Sequence, residues 1–195
     1  MERVKLILIG GTSHVGKSTL GHRLAEELGW NYLSTDQLAR HPGRPWRVGD
    51  RQIPDDVADH YTRLSVSELV ESVLSHYRGN VWPIIDAIVR SRLNNPFDLG
   101  LVLEGSAILP DLLRTAGCTR VAAIWLTAPD SLITERIKRS SDYETLAAKE
   151  RGLVDAFLQR TLAIDGMLRD SPDTNRQNLL DASSVDSSEV LRLLA

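Results

Sequence analysis

The chain has 195 residues, 42% of them hydrophobic and 25% charged, the balance of one soluble globular domain with a sizeable core. Its 23 basic and 26 acidic residues leave a formal net charge of −3, which argues against a dedicated nucleic-acid binder but leaves room for a local basic site. A single cysteine, Cys118, excludes an internal disulfide and fits a reducing compartment; no apolar run approaches the ~20 residues of a membrane span, and the apolar stretch near the start is too short for a signal peptide, so a cytoplasmic protein is expected.

Residues 4–9 form an apolar run interrupted only by Lys5 and read as a buried strand. A glycine-containing loop follows, then a helix over 18–28 with Leu20, Leu24 and Leu28 on one stripe and Gly29 as its C-terminal cap. Residues 32–34 are a short second strand. The segment 41–53 breaks the pattern: it is rich in proline, glycine and arginine, and reads either as a solvated loop or as a flap that meets an anionic acceptor through Arg44, Arg47 and Arg51. Helices are expected over 65–77 and 81–93, strands over 101–103 and 121–126, and a helix over 130–139 with Pro129 at its start. A long helical pattern spans 144–168, with Gly152 as a possible break; 178–180 is a weak last strand and 187–194 a closing helix.

Strands alternating with helices imply a three-layer α/β/α sandwich around a parallel sheet of about five strands, in one domain over 1–195. Such sheets bind ligands beyond the carboxyl ends of their strands. The polar residues that follow strands are therefore site candidates, at 10–18, 35–36, 104–106, 128 and 182–186.

The strongest signal is Gly11-Thr12-Ser13-His14-Val15-Gly16-Lys17-Ser18, followed by Thr19, which fits the phosphate-loop pattern G-x-x-x-x-G-K-[ST]. Gly11 and Gly16 let the backbone curl so that successive N–H groups aim at phosphate oxygens, and the following helix turns its positive end to the same anion. Lys17 can reach the outer phosphates, and the Ser18 hydroxyl can ligate magnesium. His14 occupies a variable slot and is read as a backbone contributor with a bystander side chain. The chain has no N-K-x-D and no LSGGQ-like stretch, which weighs against a guanine-specific switch and a transporter ATPase, and its length weighs against an added helical lid domain of the AAA type.

Together with that loop, Leu33-Ser34-Thr35-Asp36 leading to Arg40, and Leu103-Glu104-Gly105-Ser106 with Pro110, resemble the small P-loop kinases, the group of nucleoside monophosphate, shikimate and gluconate kinases. The first segment is similar to one in adenylate kinases, without the glycine between Thr35 and Asp36. The second is similar to one in 2-phosphoglycerate kinases, and chloramphenicol phosphotransferases share an Asp after the second strand. The resemblance implies an acceptor-site insertion over about 41–97 and a lid over about 136–152. It also implies the roles of the remaining residues.

Asp36 would contact or deprotonate the acceptor, or else cap the turn that follows it. Arg40 would bind the acceptor's anionic group, or else pair with Asp36 one helical turn away. Glu104 would serve magnesium or the acceptor, or else pair with an arginine. Arg136 and Arg139 would clamp the transferring phosphoryl group, one of them beside the nucleotide base, or else be surface charge; Arg151 and Arg160 are weaker candidates of the same kind. The loop 182–185 would read the base through its main chain. The expectation is an ATP- and magnesium-dependent phosphotransferase acting on a small anionic metabolite. Two rivals stand beside it: a regulatory or toxin-like nucleotide-binding protein with a macromolecular target, and nucleotide binding without catalysis. The sequence leaves the oligomeric state open.

Overall fold

The computed structural model describes residues 5–39, 43–47, 49, 52–95, 99–116, 121–174 and 178–193. Arg40, Arg51 and Cys118, singled out above, lie outside the described residues.

In chain order the elements are β1 (Leu6–Gly11), α1 (Lys17–Leu28), β2 (Asn31–Ser34), α2 (Asp55–Arg63), α3 (Val66–His76), α4 (Trp82–Asn94), β3 (Leu101–Glu104), α5 (Pro110–Thr115), β4 (Ala122–Thr127), α6 (Asp130–Ser140), α7 (Ala148–Arg169), β5 (Leu179–Asp181) and α8 (Ser187–Leu193). The five strands form one parallel sheet in the order β2-β3-β1-β4-β5. The apolar run of β1 is buried along its whole length because the strand is central and covered on both faces. Ile7 and Ile9 enter a cluster with Leu24, Leu126, Val154 and Phe157, whereas Leu6 and Leu8 enter the opposite one with Ile85, Leu103 and Trp125. This is the expected three-layer fold with about five strands.

Three local expectations change. Gly152 does not break α7, which runs without interruption from Ala148 to Arg169; nothing lies where a Cβ at Gly152 would sit, so this glycine marks an open face of the helix. The start of that helical pattern is instead a 3-10 turn, Tyr143–Thr145, closed by Arg151, which donates from Nε to Leu146 O at 3.0 Å and from Nη2 to Glu144 O at 2.7 Å. The expected lid region thus comprises the end of α6, this turn and the start of α7. Between β2 and β3, α2 appears where no helix was read, and α3 runs into α4 through a π-helical turn, Tyr77–Val81. Such turns in a helix often mark functional sites, and here Tyr77 and Val81 both line the main cavity.

Candidate active site

A cavity of about 670 Å³ opens at the carboxyl ends of β1, β3 and β4, where the chain crosses from one side of the sheet to the other. The phosphate loop forms its floor. Gly16 has φ 108° and Gly11 φ 133°, conformations that side chains resist; a Cβ at Gly11 would stand 2.5 Å from Leu126 O. Because Gly16 lacks a capping side chain and immediately precedes α1, the helix start is left to an incoming anion.

Lys17 is 8% exposed, and its Nζ donates to Thr12 O at 2.7 Å. Burial lowers its pKa, while the charges of Glu104 and then Asp36 raise it again. A desolvated ammonium with a single carbonyl partner among the described residues suits the outer phosphates of a nucleotide. Thr12 also fastens the loop to α7 through its hydroxyl, which donates to Thr161 O at 3.2 Å.

Glu104 ends β3 in register with Ile9 and Ser34 and is 2% exposed. Its Oε1 accepts from Ser18 Oγ at 3.1 Å and from Tyr32 OH at 2.8 Å. It therefore pairs with a hydroxyl of the phosphate loop, and no arginine pairs with it among the described residues. A carboxylate beside the Ser18 hydroxyl is a hard-oxygen donor set, and it fits magnesium, which takes few protein ligands and keeps water and phosphate oxygens. Tyr32, read from the sequence only as the start of the second strand, stacks on His22, and burial followed by its bond to Glu104 pushes its pKa up to about 12.

Asp36 is the middle residue of a 3-10 turn, Thr35–Gln37, and is exposed to the cavity, close enough to Lys17 and Tyr77 for its charge to act on both. Ser34, not Asp36, caps that turn, its hydroxyl accepting from Asp36 N at 3.4 Å. The carboxylate is consequently not committed as a cap.

His14 is not a bystander. It holds φ 64°, its Nδ1 lies 2.9 Å from Ser13 Oγ and its Nε2 2.9 Å from Ser140 Oγ at the end of α6. Its ring also approaches Trp46 and Phe157. Burial, then the charges of Arg44, Lys17 and Arg136, lower its pKa to about 4, so it is neutral. Trp46 itself is 4% exposed and meets Phe157 edge-on at 4.9 Å, so the flap is no wholly solvated loop.

Arg136 and Arg139 separate. From α6, Arg136 Nη1 donates to His14 O at 3.1 Å and Val15 O at 2.9 Å, bracing the phosphate loop from the cavity wall. Arg139 lies at the cavity rim, 70% exposed, in an ion pair with Glu135 at 3.3 Å. Ser13, Val15 and Thr19 line the floor, and Ala182 and Val185, from the loop expected beside the base, reach the same cavity.

The residue that the sequence reading ranked too low is Arg160. It is 6% exposed, buried within α7, and lines the cavity. Its Nη1 donates to Tyr61 OH at 2.6 Å, its guanidinium lies 4.6 Å from the Phe157 ring centre, and its buried Nε has no hydrogen-bond partner among the described residues. The signal was present: Phe157, Thr161, Ile164 and Leu168 form a buried stripe at helical spacing, and an arginine three residues after Phe157 falls on it.

Comparison with known proteins agrees with this architecture. The family described as AAA domain matches residues 7–155, and beyond them β5 adds the edge strand of the same sheet. A cytidylate kinase from Paramagnetospirillum magneticum is 26% identical, covering 95% of this chain and 90% of its own length. Among solved structures, a gluconokinase from Sinorhizobium meliloti 1021 superposes with a TM-score of 0.56 at 18% identity, over 98% of this chain and 93% of that one. A sugar kinase from Janibacter sp. HTCC2649 follows at 0.50 and 16%, over 98% and 92%. The chain thus belongs to that AAA-domain family, and in its phosphate loop and parallel sheet it is similar to the small P-loop kinases.

Proposed function

We propose that the protein transfers the terminal phosphoryl group of ATP to a hydroxyl of a small anionic metabolite. One observation carries this reading: Asp36 and the buried Arg160 line the same cavity as Lys17, Ser18 and Glu104. The floor suits a nucleotide triphosphate. The same cavity also offers the Asp36 carboxylate to accept a proton and the Arg160 guanidinium, joined by Arg44, to bind an anion. An unsatisfied donor on a buried cation is costly, and an oxyanion at the wall would offset that cost. The relative named cytidylate kinase is likewise named for an anionic molecule, cytidylate.

In the reaction, Asp36 orients the acceptor hydroxyl and takes its proton as the new oxygen–phosphorus bond forms and the bond to the leaving diphosphate breaks. Lys17 and the loop N–H groups hold charge on the donor phosphates. Ser18 and Glu104 would hold magnesium, which would supply neutralisation of phosphate charge. Arg136 keeps the loop in shape, and Arg139 stands at the rim where a lid would meet it. Arg44 and Arg160 line the interior cavity, which favours a small acceptor over a macromolecular partner docked on the flap.

The test is a metabolite extract split by anion exchange, incubated with γ-labelled ATP and read by mass spectrometry. Labelled product is expected from the retained, anionic fraction only. Transfer confined to the neutral fraction, or ATP hydrolysis that ignores added metabolites, would overturn the reading.

A further inference from the structure

We propose that Tyr61 is the positioning residue of the acceptor side, whose hydroxyl fixes two guanidinium-bearing segments as one oxyanion clamp. The proposal rests on the anionic-acceptor reading above. Tyr61 is on α2 and 3% exposed. A phenol has one proton to donate and accepts at its oxygen. Here it donates to Gly43 O at 2.8 Å and accepts from Arg160 Nη1 at 2.6 Å. The direction of each bond is fixed, since a carbonyl can only accept and a guanidinium can only donate. Burial pushes the phenol's pKa up to about 12, so the proton is present throughout the working range.

The two partners line the same cavity. Arg160 lines the cavity, and Gly43 immediately precedes Arg44, which lines it too. The Arg160 guanidinium also lies against the Phe157 ring at 4.6 Å and the Tyr61 ring at 5.4 Å. A free arginine side chain carries rotamer entropy that an anion would have to freeze. With two rings against the guanidinium and Nη1 bonded, that freezing has already occurred in folding. Preorganisation of this kind raises affinity without any contact between Tyr61 and the ligand. Trp46 of the flap also meets α7, by ring packing against Phe157.

The probe is inorganic phosphate, titrated into protein saturated with magnesium and a non-hydrolysable ATP analogue so that the donor floor is filled. In the wild type, phosphate is expected to shift the Arg160 Nε–H resonance and to saturate. Tyr61→Phe keeps the ring and removes the hydroxyl; it should need roughly tenfold more phosphate, with the affinity for the ATP analogue unchanged. In calorimetry, Tyr61→Phe added to Arg160→Lys should weaken phosphate binding no further, because Tyr61 acts through Arg160. A wild-type phosphate affinity in Tyr61→Phe, or an equal extra loss on top of Arg160→Lys, would overturn the positioning role while leaving the acceptor site standing. A wild-type Arg160 signal that ignores phosphate would overturn the anionic-acceptor reading, and this proposal with it. Should Tyr61→Phe melt below the assay temperature, wild-type relaxation decides. A rigid Arg160 Nε–H with a backbone-like heteronuclear NOE supports the clamp, and a freely moving one refutes it.

Discussion

Replacing Glu104 by Gln removes one charge from the centre of the site and almost nothing else. The amide oxygen can still accept from Ser18 Oγ and Tyr32 OH, now at 3.1 and 2.8 Å from the carboxylate. Each bond changes from one to a charged group, about 1.5–3 kcal/mol, to a neutral one, about 0.5–1.5. That loss, about 1 kcal/mol per bond, is opposed by relief from burying an anion that is 2% exposed, so the fold should keep its stability to within about 2 kcal/mol. The metal is affected more, because loss of a group that holds or orients it lowers affinity roughly 10–100-fold. Fluorescent-nucleotide titrations with and without magnesium isolate the effect. The gain in affinity that magnesium confers should shrink by that factor, and binding in chelator should be unchanged or slightly tighter. A second signature follows from Lys17. Burial lowers its pKa and Glu104 is the leading charge that opposes this, so in Glu104→Gln the ammonium loses its proton at lower pH. Nucleotide affinity should then begin to fall at lower pH than in wild type as the pH is raised. An unchanged magnesium gain together with an unchanged pH profile would show that Glu104 only ties Ser18 to Tyr32.

Lys17→Ala should abolish phosphoryl transfer while the melting temperature holds or rises, since the change removes a buried charge whose hydrogen bond is to its own loop; near-normal turnover would sink the kinase reading. Asp36→Asn should lower the maximal rate by roughly 10²–10⁴ with ATP affinity intact, as Ser34 already supplies the turn's cap; steady-state kinetics on the acceptor found in the extract screen checks it. Asp165, fully buried beside Arg169 at 3.1 Å, has its pKa raised to about 6, chiefly by burial. An acid held protonated longer in the folded chain loses stability as pH rises from about 4 to about 6 and stays at that lower level above. Asp165→Asn should therefore raise the melting point at neutral pH by the equivalent of about 1–2 kcal/mol, allowing for screening at the half-exposed Arg169, which keeps its bond to Asp130 at 2.7 Å. The gain should fade in melts below about pH 5.

What the sequence determined by itself is local or follows from chain direction. The phosphate loop is contiguous, so the spacing of Gly11, Gly16, Lys17 and Ser18 dictates its curl and its chemistry without any distant partner. Asp36 and Glu104 were legible because parallel strands bring their carboxyl ends to one edge, whatever the order of the strands. α2 was missed because only Val57 and Tyr61 of its nine residues are buried, too sparse a stripe to signal a helix, although Pro54 and two acids at its start were helix-start cues. The tertiary structure alone decided the partners. Ser18 meets Glu104 across 86 positions, His14 meets Ser140 across 126, and Arg160 meets Tyr61 across 99. Hydrophobic periodicity can say that position 160 faces inward, but a guanidinium there is stable only if the fold supplies rings and a hydroxyl around it. Those come from α7 itself and from α2, and which helices pack together is a property of the three-dimensional core that no local pattern encodes.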